Sequence, residues 1–222
     1  MFLGHYGIAF AARRAAPRTS LGTTIFAAQF LDELWPILLL LGVEQVRIVP
    51  GFMAANSLQF VYYPYSHSLA AALFWSLLIG GAYYVKRRDS RSAWIVGGAV
   101  LSHWLLDVPM HAPDLPLWPG SRTFVGAGLW SSIPLTLALE LGILAVGLAL
   151  YLRGTRARDR IGSWGLWSMV AVLVCIYIFG LFGAPPPSSH ALALMTLSLW
   201  LFVPWGYWVD RHRENKMPAR ST

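Results

Sequence analysis

Residues 130–152 read Trp130-Ser-Ser-Ile-Pro-Leu-Thr-Leu-Ala-Leu-Glu140-Leu-Gly-Ile-Leu-Ala-Val-Gly-Leu-Ala-Leu-Tyr-Leu152. This stretch is long enough to cross a hydrocarbon layer, which needs about 20 mostly apolar residues, and it holds one ionisable side chain, Glu140. Five further runs have the same character: 21–43, 66–85, 93–110, 164–182 and 190–209. The composition agrees. Of 222 residues only 12% are charged, while 56% are hydrophobic; soluble domains carry roughly 25% charge. A disordered chain is excluded by the hydrophobicity, and a soluble globule could not cover so much apolar surface. The expected fold is all-α: a polytopic membrane helix bundle of about six transmembrane helices, forming a single membrane domain over 1–222. One cysteine, Cys175, excludes an internal disulfide framework and any multi-cysteine metal site.

The net charge of +7 comes from 17 basic and 10 acidic residues. All but Arg47 and Arg122 of the basic residues fall in four short clusters, 13–18, 86–91, 153–160 and 211–220, each at the end of an apolar run. That is topology-setting charge, so a nucleic-acid partner is not expected. Placing all four clusters in the cytoplasm orients every span consistently. The C-terminus is then cytoplasmic, and the connections 44–65, 111–129 and 183–189 face outward. Residues 1–12 are apolar but too short to cross as a helix. They lack a basic leader and a cleavage motif, and read as a retained, partly inserted helix. Pro64-Tyr-Ser-His67 and Pro187-Ser-Ser-His190 echo one another, and both predict a serine-capped helix opening with histidine.

Ionisable side chains inside a span cost about 2.5–3.5 kcal/mol on insertion scales and usually serve a purpose. Here they are Asp32 with Glu33, His103, Asp107 and Glu140. His5 lies in the short first helix, His67 and His190 open spans two and six, and His111 and Asp114 follow span three. With the topology above, most of these groups reach the outer half of the bilayer. His103 and Asp107, four residues apart, share one helix face. A neutral imidazole and a carboxylate side by side can bind one divalent metal; zinc, manganese and iron all suit such donors. Each residue also has a plain structural reading: a satisfied His–Asp pair, a helix-opening histidine, or a glutamate bonded to a neighbouring helix. Convergence of several such residues at one depth favours a site. Glu33, about 100° around the helix from Asp32, reads as an orienting or pore-facing neighbour.

At four motifs the chain resembles a family of bacterial inner-membrane metal-dependent hydrolases, described as LexA-binding inner-membrane-associated hydrolases. They are Gly4-His5-Tyr-Gly, Phe30-Leu-Asp32-Glu-Leu-Trp35, Tyr65-Ser-His67-Ser-Leu69 and Ser102-His103-Trp-Leu-Leu-Asp107, all within residues 1–115. Leu31 stands where that family usually carries proline. The family is distantly similar to zinc-dependent phospholipase C and to single-strand-specific zinc nucleases, all-helical enzymes that hold a metal cluster with histidine and aspartate from separate helices. His103 and Asp107 match their His-x-x-x-Asp pair. The resemblance implies His5, Asp32 and His67 as further metal ligands; His111 joins them on position and chemistry alone. An outward-facing site does not fit a contact with LexA, which is cytoplasmic.

The functional expectation is a metal-dependent hydrolase of the inner membrane, acting at the outer face on a lipid or other phosphoester, with membrane lipids as its partners. Asp32, His67 and Glu140 are its candidate catalytic groups. Two alternatives compete: a proton-coupled transporter or channel built on the same His/Asp/Glu cluster, and a noncatalytic scaffold with a structural metal.

Overall fold

Five helices of this chain start at a serine or aspartate cap. The structure is a computed structural model that describes residues 1–216; Arg220 of the last basic cluster lies outside them. Helix α1 spans Leu3–Ala15 and α2 spans Leu21–Leu40, where Ser20 accepts the Thr23 amide. A hairpin follows, β1 (Gln45–Met53) with β2 (Asn56–Tyr62), and then a single turn, α3 (Pro64–His67). Ser68 caps α4 (Leu69–Arg87), and Asp89 caps α5 (Ser90–Met110). Between α4 and α5 the chain reverses through Arg88 at φ 53°, ψ 30°. The two-residue strands β3 (Leu115–Pro116) and β4 (Phe124–Val125) precede α6 (Ile133–Gly154). Strand β5 (Thr155–Ala157) leads to α7 (Arg160–Phe182), capped by Asp159. Helix α8 (Ser189–Leu197), a 3-10 segment (Ser198–Leu201), α9 (Phe202–Arg211) and β6 (Arg213–Asn215) complete the described chain. Each cap supplies an acceptor for a backbone N–H that the first helical turn leaves unpaired.

Among the described residues, six helical segments are long and apolar enough to cross a membrane, the sixth being α8–α9 across its 3-10 break. The all-α polytopic bundle expected from the sequence is the fold observed. Half of the apolar window of α2 and of α5 is buried, against 17% for α4. Helices α2 and α5 therefore form the centre. Side chains such as Leu77, Trp94, Trp164 and Phe179 point outward, as lipid contact requires.

Close helix approach depends on glycine. A Cβ on Gly7 would strike the backbone of Ile143, and one on Gly147 the backbone of Gly7, so α1 can lie directly on α6. On α4 and α5, Gly80 and Gly97 are similarly close, and Ser76 Oγ donates to Gly97 O at 2.7 Å.

The basic segments gather at one end. Strands β5 and β6 pair there, Arg13 Nε lies 3.0 Å from Asp210 Oδ2, Tyr151 Oη donates to Asp210 Oδ1, and Thr19 bonds Tyr83. The hairpin, α3 and the 111–129 connection occupy the opposite end. Two details depart from the sequence reading. The connection 44–65 contains the β1–β2 hairpin rather than loop alone. His67 also does not open a spanning helix: it ends α3, and the cap of α4 is Ser68, one residue later.

Candidate metal centre

The centre lies between α2 and α5, closed by α1 on one side and by α3 on the other. Asp107, His103 and His5 are 0–1% exposed, and His67 is 3% exposed. Asp32 keeps 21% of its side chain accessible and marks the open edge. Two overlapping groups, His5–His103–Asp107 and Asp32–His67–His103, each bring one donor atom per residue within 4.8 Å of the others.

Around the centre, His103 Nε2 is 3.4 Å from Asp107 Oδ2 and 3.6 Å from Asp32 Oδ1. His67 Nε2 is 3.4 Å from Asp32 Oδ1 and 3.9 Å from Asp107 Oδ2. Tetrahedral zinc with bonds of about 2.0–2.1 Å separates its ligand atoms by about 3.3–3.4 Å; neighbouring donors here lie at that spacing or somewhat beyond it, in two overlapping groups of three. The second oxygen of Asp107 faces elsewhere: Oδ1 is 3.2 Å from His5 Nε2 and also contacts the Met1 amino nitrogen. The His5 ring stacks on that of His103, centroids 3.6 Å apart. Among the described residues, His103 Nε2 and both ring nitrogens of His5 are buried without a hydrogen-bond partner. Buried polar atoms are rarely left so, and a bound cation is a direct way to satisfy a lone pair. The residues present fit a divalent metal.

The histidines are oriented from behind. His103 Nδ1 is 2.8 Å from Ala28 O, so this nitrogen is the N–H donor and Nε2 carries the lone pair. His67 Nδ1 is 2.7 Å from Ser66 Oγ, which in turn donates to Glu44 Oε2 at 2.6 Å. Glu44 Oε1 accepts the backbone amides of Tyr65 and Ser66. Burial pushes the Glu44 carboxyl above its ordinary value, with the Ser66 and Tyr65 donors opposing.

Five of the sequence-derived residues, His5, Asp32, His67, His103 and Asp107, thus come together. His111 stands beside them, outside both groups. Its Nδ1 is 3.0 Å from Asp114 Oδ1, which also accepts the Tyr63 hydroxyl at 2.9 Å, and the Phe60 and Trp130 rings pack against it. Burial lowers its affinity for a proton, opposed by Asp114. Glu140 is buried, but its oxygens accept the Phe2 and Gly4 amides at 2.8 Å, which places it as the anchor of α1. His190 is exposed. Glu44 and the role of Ser66 went unread in the sequence. A usable signal was present: Glu44 is the one acidic residue between Glu33 and Asp89.

A family model described as YdjM inner membrane protein matches residues 3–184. The chain belongs to the YdjM inner membrane protein family. The region matched to YdjM contains all five clustered residues together with Glu44, Ser66 and Glu140, and it ends before α8. No match was found among curated proteins or among solved structures.

Proposed function

We propose that this chain is a metal-dependent hydrolase embedded in the inner membrane, cleaving a phosphoester, of a lipid in the first instance, at the outer face. The observation that carries the reading is the ring of Asp32 Oδ1, His67 Nε2, Asp107 Oδ2 and His103 Nε2 at separations of 3.4–3.9 Å. Zinc suits these donors best, with manganese and iron next. When bound, such an ion supplies a Lewis acid that polarises phosphoryl oxygen and brings the pKa of water toward neutrality. His103 and His67 offer Nε2 because their Nδ1 protons are held elsewhere. Asp107 presents Oδ2 toward His67 and His103 and Oδ1 toward His5, and would hold the ion with them. Asp32, on the accessible edge, can hold the ion or accept the proton of an attacking water. Glu140 secures α1 and, through it, His5. The gathering of basic segments at the far end supports an outward-facing centre by the positive-inside rule.

Elemental analysis of detergent-purified protein, followed by mass spectrometry of products from phospholipids, lipid pyrophosphates and soluble phosphodiesters, tests the reading. Stoichiometric metal and chelator-sensitive release of a phosphoester product are expected. Reporter fusions at Arg156 and Met53 should label opposite sides of the membrane; the same side for both would remove the outward placement.

A second reading, proton-coupled transport, draws on Glu33 and Gln29. They lie one turn apart on α2, both fully buried with no hydrogen-bond partner among the described residues. Polar groups of this kind are also how proton paths are built. Metal-loaded protein that hydrolyses nothing but moves protons into proteoliposomes would favour it.

A further inference from the structure

Helix α2 ends at Leu40 before the chain enters the hairpin, and Glu44 stands just outside the spans, at the foot of β1. Its carboxylate is fully committed. Oε1 accepts the Tyr65 and Ser66 amides at 2.8 and 2.9 Å, which leaves Oε2 facing Ser66 Oγ at 2.6 Å. With Glu44 ionised, as the three donors around it favour, its carboxylate can only accept. Ser66 has one hydroxyl proton, and the alternative acceptor, Tyr63 O, is 3.5 Å away. The proton therefore goes to Glu44. With that proton spent, Ser66 Oγ can meet His67 Nδ1 at 2.7 Å only as an acceptor. His67 must then carry its proton on Nδ1, and the lone pair on Nε2 faces Asp32 and Asp107. The other tautomer would turn an N–H toward the place where a cation belongs.

We propose that Glu44 and Ser66 are positioning residues that set the tautomer of His67 and so make it a metal ligand. The inference rests on reading the cluster as a metal centre, but not on what that centre hydrolyses. Glu44, Ser66 and His67 are 2%, 0% and 3% exposed, so water does not compete for these bonds. His103 reaches the same end by a different route, through the carbonyl of Ala28. A carbonyl cannot reverse its polarity, whereas a hydroxyl can. The His67 arm is therefore the one that depends on a charge behind it.

This dependence gives an unusual prediction for an isosteric change. In Glu44→Gln the side-chain oxygen keeps the two backbone amides, and the NH2 faces Ser66 Oγ as a donor. Ser66 then accepts from the amide and turns its own proton onto His67 Nδ1. The tautomer flips, and Nε2 loses its lone pair. Ser66→Ala removes the relay without reversing it, and Ser66→Thr keeps the hydroxyl.

The test is nitrogen-15 NMR of histidine-labelled, metal-free protein in detergent, with His67 assigned by difference from His67→Gln, paired with Zn2+ titration of the same samples. Wild type and Ser66→Thr should show His67 protonated at Nδ1. Ser66→Ala should show mixed tautomers and about 10–100-fold weaker Zn2+ binding, the usual cost of losing an orienting partner. Glu44→Gln should show Nε2 protonated and bind Zn2+ more weakly than Ser66→Ala. His67 protonated at Nδ1 in every variant, or equal Zn2+ affinity throughout, would overturn the proposal. Should Glu44→Gln not fold, the contrast of Ser66→Ala with Ser66→Thr decides it. Tautomers that respond as expected in a protein without hydrolytic turnover would leave this inference standing and remove the hydrolase reading alone.

Discussion

His103 on α5 donates through Nδ1 to the carbonyl of Ala28 on α2, at 2.8 Å. Ala28 lies one helical turn before Asp32, so one face of α2 both orients the histidine and supplies the carboxylate it meets. The packing of the two central helices and the assembly of the centre are the same event. A change that shifts α2 against α5 by even 1 Å would separate these donors.

Loss of a donor should appear as loss of metal. His103→Ala and Asp107→Ala should each sharply lower bound metal by elemental analysis while leaving membrane insertion intact. His190→Ala, at an exposed position, should retain the wild-type content. Full occupancy in both cluster variants would count against the centre.

The seat of α1 on α6 should tolerate no side chain at the crossing. Gly147→Ala places a Cβ against the backbone of Gly7, whereas the same change at Gly142 meets open space. Overpacking of this kind costs about 1–3 kcal/mol, while alanine is the better helix former by up to about 1 kcal/mol. Unfolding in detergent should show Gly147→Ala destabilised and Gly142→Ala unchanged or slightly stabilised.

At the basic end, two ion pairs of different burial invite comparison. Arg13 and Asp210 are 7% and 11% exposed in their side chains, and Arg156 and Glu214 are 69% and 43% exposed. Asp210→Ala removes the charge partner of a buried guanidinium, leaving it Pro17 O and Asn215 Oδ1, and also removes the acceptor of Tyr151 Oη and the Leu21 amide. A loss of about 3–5 kcal/mol is expected. Glu214→Ala should cost no more than about 1 kcal/mol. Equal effects in an unfolding series would refute the ranking.

Asp159 offers a pH signature outside the membrane. The His212 ring, donating to it at 2.7 Å, and then the Gly162 amide hold its carboxyl below the ordinary range. A depressed acid contributes stability above its unfolded value, about 3.9, and loses it as pH falls through the folded value. In a carbon-13 carboxyl titration Asp159 should titrate below a free aspartate, and His212→Ala should move it upward. No movement in that variant would assign the shift to the helix cap alone.

The spans were legible because hydrocarbon thickness demands long apolar runs, and the His/Asp residues that cluster were legible as candidates because ionisable groups inside such runs are conspicuous. The hairpin was not. Its turn is Ala54-Ala55, between the paired Met53 and Asn56, and it carries none of the Asn-Gly or Asp-Gly chemistry that marks tight hairpins. The helix start near His67 was misplaced by two residues because serine flanks the histidine on both sides. Either serine could cap; the structure uses Ser68 for that purpose and gives Ser66 to Glu44. The contact of Glu140 with the amides of Phe2 and Gly4 spans more than half the chain, and no local pattern encodes it.

That long reach has a consequence for biogenesis. Helix α1 is gripped at one end by Glu140 and at the other by Asp210, yet it leaves the ribosome before either exists. At about 5–20 residues per second, Asp210 follows His5 by roughly 10–40 s. During that interval the first helix has only α2 and α5 to seat it, and the grips of Glu140 and Asp210 that fix its two ends are not yet in place. The helix that emerges earliest is thus among the last to be locked at both ends, and a nascent chain stalled before α6 should be inserted with its N-terminal turn still unanchored.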